Sequence, residues 1–164
     1  MLYVANISEE DLINVQDNEY VKALYDLAST QNAEAITISA QIESELSELD
    51  SDDKTAYLDE LGLKASGLDR LVQRSYTLLN LKTFFTAGEK EVRAWTFKVG
   101  MTAPQCAAVI HTDFQRGFIR AETMTFSDLV KYGTMQKVKE AGKNAPFEGK
   151  DYVVQGRRYP SIQI

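Results

Sequence analysis

An apolar run from Leu2 to Ala5 opens the chain, stops at Asn6 and gives way to the acids of "SEED". This block pattern predicts a strand and then a helix. Ser8 is a capping residue, and Glu9, Glu10 and Asp11 in the first turn suit the positive end of a helix dipole. Tyr20, Val21, Leu24, Leu27 and Ala28 then recur at helical spacing. The segment "EAITISA", from Glu34 to Ala40, is β-branched and too short for a stable helix, so it reads as a second buried strand. Strand, helix and strand in that order predict a parallel βαβ unit, and a parallel sheet requires cover on both faces.

The next stretch, "QIESELSELDSDDKTAYLDELGL", is helical and acidic, with Ser51 and Asp52 as the expected cap of its second segment and Gly62 as its stop. In "SGLDRLVQRSYTLLNL", Ser66 is the expected cap, and Leu68, Leu71, Val72, Tyr76 and Leu79 form a stripe expected to enter a core. From Leu81 the period changes to that of strands. "LKTFFTAG" and "EVRAWTFKVG" predict a hairpin closed by a Gly-containing turn, the second strand setting Val92, Ala94, Thr96 and Lys98 against Arg93, Trp95, Phe97 and Val99. Thr102, with Pro104 in the first turn, starts a helix expected to run to Gly117. A strand "FIRAETMTF", short helices capped by Ser127 and Thr134, and a last strand "KDYVVQ" follow. Hairpin, helix and further strands predict a ubiquitin-like β-grasp layout. The expected fold class is therefore mixed α/β (α+β), with a βαβ unit and helices over 1–80 and a β-grasp domain over 81–164.

Composition adds a core but no membrane. With 164 residues and 44% hydrophobic content the chain can bury a real interior. Its apolar runs fall far short of the ~20 residues that span a bilayer, and the N-terminus lacks the layout of a signal peptide. A cytoplasmic chain with no membrane partner is expected. Cys106 stands alone, which excludes an internal disulfide and gives no metal-ligand spacing, so no metal site is expected. The net charge of −6 conceals a split: fifteen acids and two lysines up to Glu60, then nine acids and sixteen bases. The acidic part repels phosphate, whereas the basic part has the charge to attract a polyanion. Bases spread over a solvated surface are the alternative reading.

Few residues carry candidate chemistry. Asn6 and Glu9 at a strand end are, taken alone, ordinary turn and cap residues. Ser39 and Ala40 end a second strand about 30 residues later, and two such loops on adjacent parallel strand ends are a stronger signal of a base-binding corner. His111, with Asp113 two residues on, has no partner nucleophile and reads as a structural hydrogen-bonding residue; no catalytic residue is expected. Arg93, Lys98, Arg116 and Arg120, with Trp95, are candidates for a phosphate- and base-contacting face, and Trp95 as a core residue is the alternative. Cys106, in an Ala-rich helix face, reads as a small buried hydrophobe.

Four segments carry a resemblance: "LYVANISEED", "ITISAQIESELSEL", the long run from "LGLKASGLDRL" to "VIHTDFQRGFIRAE", and "GKDYVVQ". Together they resemble the C-terminal part of the Obg-like ATPases of the YchF family, from the base-recognition motif through the TGS domain, up to about Gln155. In that family Asn-x-x-Glu replaces the Asn-Lys-x-Asp of ordinary GTPases. The resemblance implies a preference for ATP over GTP, with Asn6, Ile7, Ser8, Glu9, Ser39 and Ala40 around the base. Guanine offers two adjacent N–H donors that a well-placed Asp accepts together, and adenine has no such pair on that edge. Glu9 as a plain first-turn acid remains the other reading.

The same resemblance implies a TGS domain over 81–164 that contacts the ribosome or its RNA, with Arg93, Trp95, Lys98, His111, Arg116 and Arg120 as contact residues. No Gly-x-x-x-x-Gly-Lys-Ser/Thr occurs in the sequence, and "EGKD" places Asp151 where the Mg²⁺-binding hydroxyl belongs. In the family the phosphate loop, switch segments and Mg site precede the stretch resembled. This chain is therefore expected to touch the base of ATP or GTP without holding the triphosphate, and to be inactive in hydrolysis alone. Two other readings are a half of a split ATPase that needs a second, phosphate-loop chain, and a ubiquitin-like protein-interaction module. The ending "GRRYPSIQI" departs from the family, and Pro160 restricts it to an edge or a non-strand role.

Overall fold

The runs at Leu2–Asn6 (β1) and Glu34–Ile38 (β2) pair in parallel, in register from Leu2 opposite Glu34 to Asn6 opposite Ile38. They belong to the first of two compact units, Met1–Leu78 and Leu79–Ile164, in a computed structural model that describes residues 1–87, 91–143, 147–156 and 158–163. Between the strands lie α1 (Glu9–Ile13), a 3-10 turn (Val15–Asp17) and α2 (Glu19–Thr30). Ser8 caps α1 as expected, its Oγ accepting from Asp11 N at 3.2 Å. Asn18 restarts the helix by accepting from Tyr20 N and Val21 N. That restart sets the phase of α2: Val21 and Ala28 are buried, whereas Tyr20 is 88% exposed and Leu27 also faces outward.

Three further helices complete this unit: α3 (Ala40–Glu48), α4 (Ser51–Glu60) and α5 (Gly67–Leu78). The cap of α4 is Asp50, one residue before the expected pair, with Oδ1 accepting from Asp52 N and Asp53 N. Gly62 ends the segment at φ +69°, a left-handed conformation that favours glycine. Ser66 caps α5 through Asp69 N.

Polar rungs fasten α5 to the rest of the unit. Gly67 N donates to Glu43 Oε1 at 2.6 Å, Arg70 Nη2 to Thr37 O at 3.0 Å, and Arg74 Nη1 to Glu34 Oε2 at 3.3 Å. Positions 67, 70 and 74 share one helix face. The close approach requires glycine at 67, since a Cβ there would lie 2.9 Å from Glu43 Oε1 and 3.0 Å from Ile38 Cγ2. Because these rungs take the inward face, only Leu71 and Tyr76 of the expected stripe are half-buried; Leu68, Val72 and Leu79 lie further round and are exposed.

In the second unit β3 (Leu81–Ala87) and β4 (Val92–Lys98) pair antiparallel, from Leu81 opposite Lys98 to Ala87 opposite Val92. The expected turn at Gly88 lies outside the described residues. The expected long helix is two, α6 (Ala103–Ile110) and α7 (Thr112–Gly117). His111 is extended between them (φ −157°, ψ 138°), and its Nδ1 accepts from Asp113 N at 3.3 Å, so it caps the second helix and breaks the first. Phe84, Phe97, Cys106, Ala107, Phe118 and Ala121 form the core, with the Phe84 and Phe97 rings 5.7 Å apart. Burial pushes the Cys106 thiol up to about 12, which keeps it protonated as a packing group.

The second sheet runs β6–β5–β7, with β5 (Arg120–Thr125) between β6 (Phe147–Glu148) and β7 (Arg158–Gln163), both antiparallel to it. Helices α8 (Phe126–Tyr132) and α9 (Met135–Glu140) follow β5; Thr125 caps the first in place of Ser127, and Thr134 caps the second as expected. "KDYVVQ" is not a regular strand. Val153 makes one bridge to Thr102, while Ala103 N donates to Tyr152 O and Val154 N to Met101 O, which docks the segment on the start of α6. The ordered ending comes later, as β7 at the sheet edge, with Pro160 opposite Thr123. Among the described residues no helix is long and apolar enough to cross a membrane, and no group of His, Cys, Asp or Glu has the arrangement to hold a metal ion.

The Glu43 rung yields a direct stability test. Glu43→Ala removes a charged acceptor from the first turn of α5 and is expected to cost about 1–2 kcal/mol in denaturant unfolding. Glu43→Gln, which keeps an acceptor, is expected to lose clearly less; equal losses would remove the role assigned to the hydrogen bond.

Candidate functional site

The carboxyl ends of β1 and β2 meet in a small polar corner. Ile7 N donates to Ile38 O at 2.9 Å, and Ala40 N donates to Asn6 Oδ1 at 2.9 Å, so each strand-end loop is tied to the other. Both backbone N–H groups are thereby committed. The Asn6 amide nitrogen makes no hydrogen bond among the described residues. Ser39 precedes α3 in extended conformation, is 1% exposed, and its Oγ has no partner. Ser8 Oγ is engaged with Asp11, donating to Oδ2 at 2.8 Å.

A cleft of about 440 Å³ opens beside Asn6, Ile7 and Ser8 and is walled opposite by Asn18, Tyr20 and Leu24. Ser39, Ala40 and Glu9 do not line it. Half-buried Glu9 adds its charge to an acidic neighbourhood around Tyr57, whose hydroxyl donates to Glu45 Oε2 at 2.5 Å. That hydrogen bond, with burial and the charges of Glu45, Glu9 and Glu60, pushes the Tyr57 phenol up to about 12 and draws the Glu45 carboxyl below its usual range. Asp11 lines the cleft and further acids gather around Tyr57, surroundings that disfavour a bound phosphate. Of the residues singled out in this corner from sequence, Asn6, Ile7 and Ser8 line the cleft, together with the acidic Asp11.

The candidate residues of the second unit do not share one face. Arg93 and Trp95 alternate with Lys98 along β4, which puts Lys98 on the opposite side of the strand. Trp95 packs against the core cluster, its Nε1 donates to Thr86 Oγ1 at 2.9 Å, and the Arg93 guanidinium lies 4.3 Å over its ring. His111 and Arg116 are exposed on α7, and Arg120 starts β5. Two features escaped the sequence reading. Glu122 is buried and paired with Lys139, Oε1 to Nζ at 2.5 Å, and the Arg120 guanidinium lies 4.2 Å over the ring of Phe147. The first depends on how α9 packs against β5 and the second on strand register, neither of which a local pattern announces.

With this geometry in hand, comparisons with known proteins place the chain. The YchF-GTPase_C family, described as a protein of unknown function (DUF933), matches residues 81–157. The "Ribosome-binding ATPase YchF" of Bacillus subtilis is 55% identical over 155 residues, 94% of this chain and 42% of that protein. The protein of the same name from Haemophilus influenzae is 47% identical over 154 residues, 94% of this chain and 41% of its own length. The structure of the Schizosaccharomyces pombe YchF GTPase matches with a TM-score of 0.83 and 33% identity, over 99% of this chain and 43% of that one. The chain thus spans about two-fifths of the length of the curated relatives it matches. The stretch singled out by its base corner and its basic second unit is one these proteins share, and the chain belongs to the YchF family.

Proposed function

We propose that this chain is a ribosome-associated, cytoplasmic module with two separate chemistries. Residues 81–164 act as a TGS-type β-grasp domain that contacts ribosomal RNA. Residues 1–80 act as the base side of a nucleotide-binding domain that prefers ATP to GTP. The observation that carries this reading is the coincidence of charge and kinship: the sixteen bases beyond Glu60 lie largely in the segment the family model matches, and ribosome-binding ATPases align over 94% of the chain. Arg93, Lys98, His111, Arg116 and Arg120 supply the polar contacts, and Trp95 acts as a core residue that holds Arg93 in place. Bound nucleotide would bring triphosphate chemistry, but this sequence holds no Gly-x-x-x-x-Gly-Lys-Ser/Thr to cradle it.

A second reading, half of a split ATPase, draws on one specific observation. Among the described residues the outer edge of β1 is unpaired, Val4 on it is exposed, and Leu68 and Val72 of α5 are exposed as well. Such a strip is what a wider parallel sheet covers. Adding a polypeptide that carries a phosphate loop should then restore ATP turnover, and no turnover on addition removes this reading.

Two measurements test the main proposal. In calorimetric titration ATP and GTP should bind weakly or not at all, and a submicromolar dissociation constant, roughly −8 kcal/mol or better, contradicts it. Asn6→Ala should abolish any residual adenosine signal and cost about 1 kcal/mol of stability, since Ala40 N–H loses its partner. In ribosome co-sedimentation, Arg116→Ala and Arg120→Ala should each weaken binding and flatten the log–log salt slope by roughly 0.7 to 0.9. Unaltered binding in the double variant would replace RNA contact with protein contact.

A further inference from the structure

At the start of β5, Arg120 joins two residues that were not chosen from sequence, Phe147 and Lys139. Antiparallel pairing sets Glu122 opposite Phe147, which brings Phe147 diagonally beside Arg120 on the same face. The Arg120 guanidinium lies 4.2 Å over the Phe147 ring, and that ring is 53% exposed. Glu122 continues the row, buried beneath Lys139, whose side chain is itself 51% exposed. One cation therefore rests on an open aromatic ring, and a second stands one rung along the strand, its counter-charge already supplied from below.

Two physical points lift this above an incidental surface pair. An exposed phenylalanine in a two-residue strand gives little to the core and leaves apolar surface in water, a cost that a partner able to cover the ring would offset. The ring also restrains the guanidinium, so much of the ordering entropy of a long side chain is lost before any ligand arrives. An open ring beside restrained cations matches unpaired nucleotides, whose bases stack on aromatic rings or guanidinium planes while the phosphates follow the charge. A duplex keeps its bases stacked inside and offers nothing to the ring.

We propose that Phe147 and Arg120 form a stacking platform for one unpaired base of an RNA strand, with Lys139 facing the neighbouring phosphate. This rests on the ribosome reading above and adds the form of RNA and the residues that hold it. The test uses the full chain in fluorescence anisotropy with a short labelled oligouridine and an RNA duplex of equal length, alongside ribosome co-sedimentation. Oligouridine should bind in preference to the duplex. Phe147→Leu should weaken it roughly tenfold with an unchanged salt slope and an unchanged melting temperature. Arg120→Gln should flatten the slope by roughly 0.7, and Arg120→Lys should keep the slope but lose affinity. If Phe147→Leu unfolds, the Arg120→Lys result alone decides. Wild-type oligouridine affinity in Arg120→Lys and in folded Phe147→Leu, or preference for the duplex, overturns the platform while ribosome binding by the wild type leaves the broader reading standing. Failure of the wild type to bind both ribosomes and oligouridine overturns both.

Discussion

The hydrogen bond from Ala40 N–H to the Asn6 side-chain carbonyl holds the two strand-end loops of the first unit in one geometry. Ligands of open parallel sheets bind beyond the carboxyl ends of the strands, where connecting segments leave in different directions and nothing in the ladder restrains them. Here a side chain 34 residues away in sequence closes that gap, and Ile7 N to Ile38 O extends the ladder by one more bond. The cost is that both backbone donors are consumed. What the corner retains is the Asn6 amide nitrogen and the buried Ser39 hydroxyl, neither with a partner among the described residues. If it takes a base, as proposed, so few polar groups make the site weak without phosphate contacts.

Electrostatics explain why that corner stands apart from the rest of the chain's chemistry. Fifteen acids precede Leu61, and several gather around Tyr57 on α3 and α4, within reach of Glu9. A phosphate brought there meets repulsion unless cations arrive from another segment. The second unit has the opposite character, and two of its arginines lie over rings, Arg93 on Trp95 and Arg120 on Phe147. The same chain thus pairs a cleft in acidic surroundings with a basic second unit.

Much of the fold was legible wherever a signal was local. The β-branched run at 34–38 and the short apolar run at 2–6 could only be strands, and Ser8, Ser66 and Thr134 cap where their spacing to the next periodic segment says they should. Asp50 displaced Ser51 and Asp52 because "LDSDD" offers several capping side chains in a row and backbone conformation selects among them. His111 broke a helix that apolar periodicity carried straight through, since a histidine that caps its own following turn leaves no mark on hydrophobic spacing. "KDYVVQ" has strand-like residues but forms an isolated bridge rather than a ladder, and α5 exposes Leu68 and Val72 because Gly67, Arg70 and Arg74 take the inward face. At the candidate site the loops were legible and the bond between them was not: the apolar runs reveal that strands end near Asn6 and Ser39, although β2 stops at Ile38 and Ala40 opens α3, but only register shows that Asn6 consumes the donor of Ala40.

The division of labour between the two units is tested most directly by ultraviolet cross-linking of the full chain to ribosomes, with the cross-linked peptides identified by mass spectrometry. Cross-links to RNA should fall within residues 79–164, with the acidic stretch from Met1 to Glu60 unmarked. RNA cross-links concentrated in residues 1–78 would contradict the assignment of RNA contact to the basic unit.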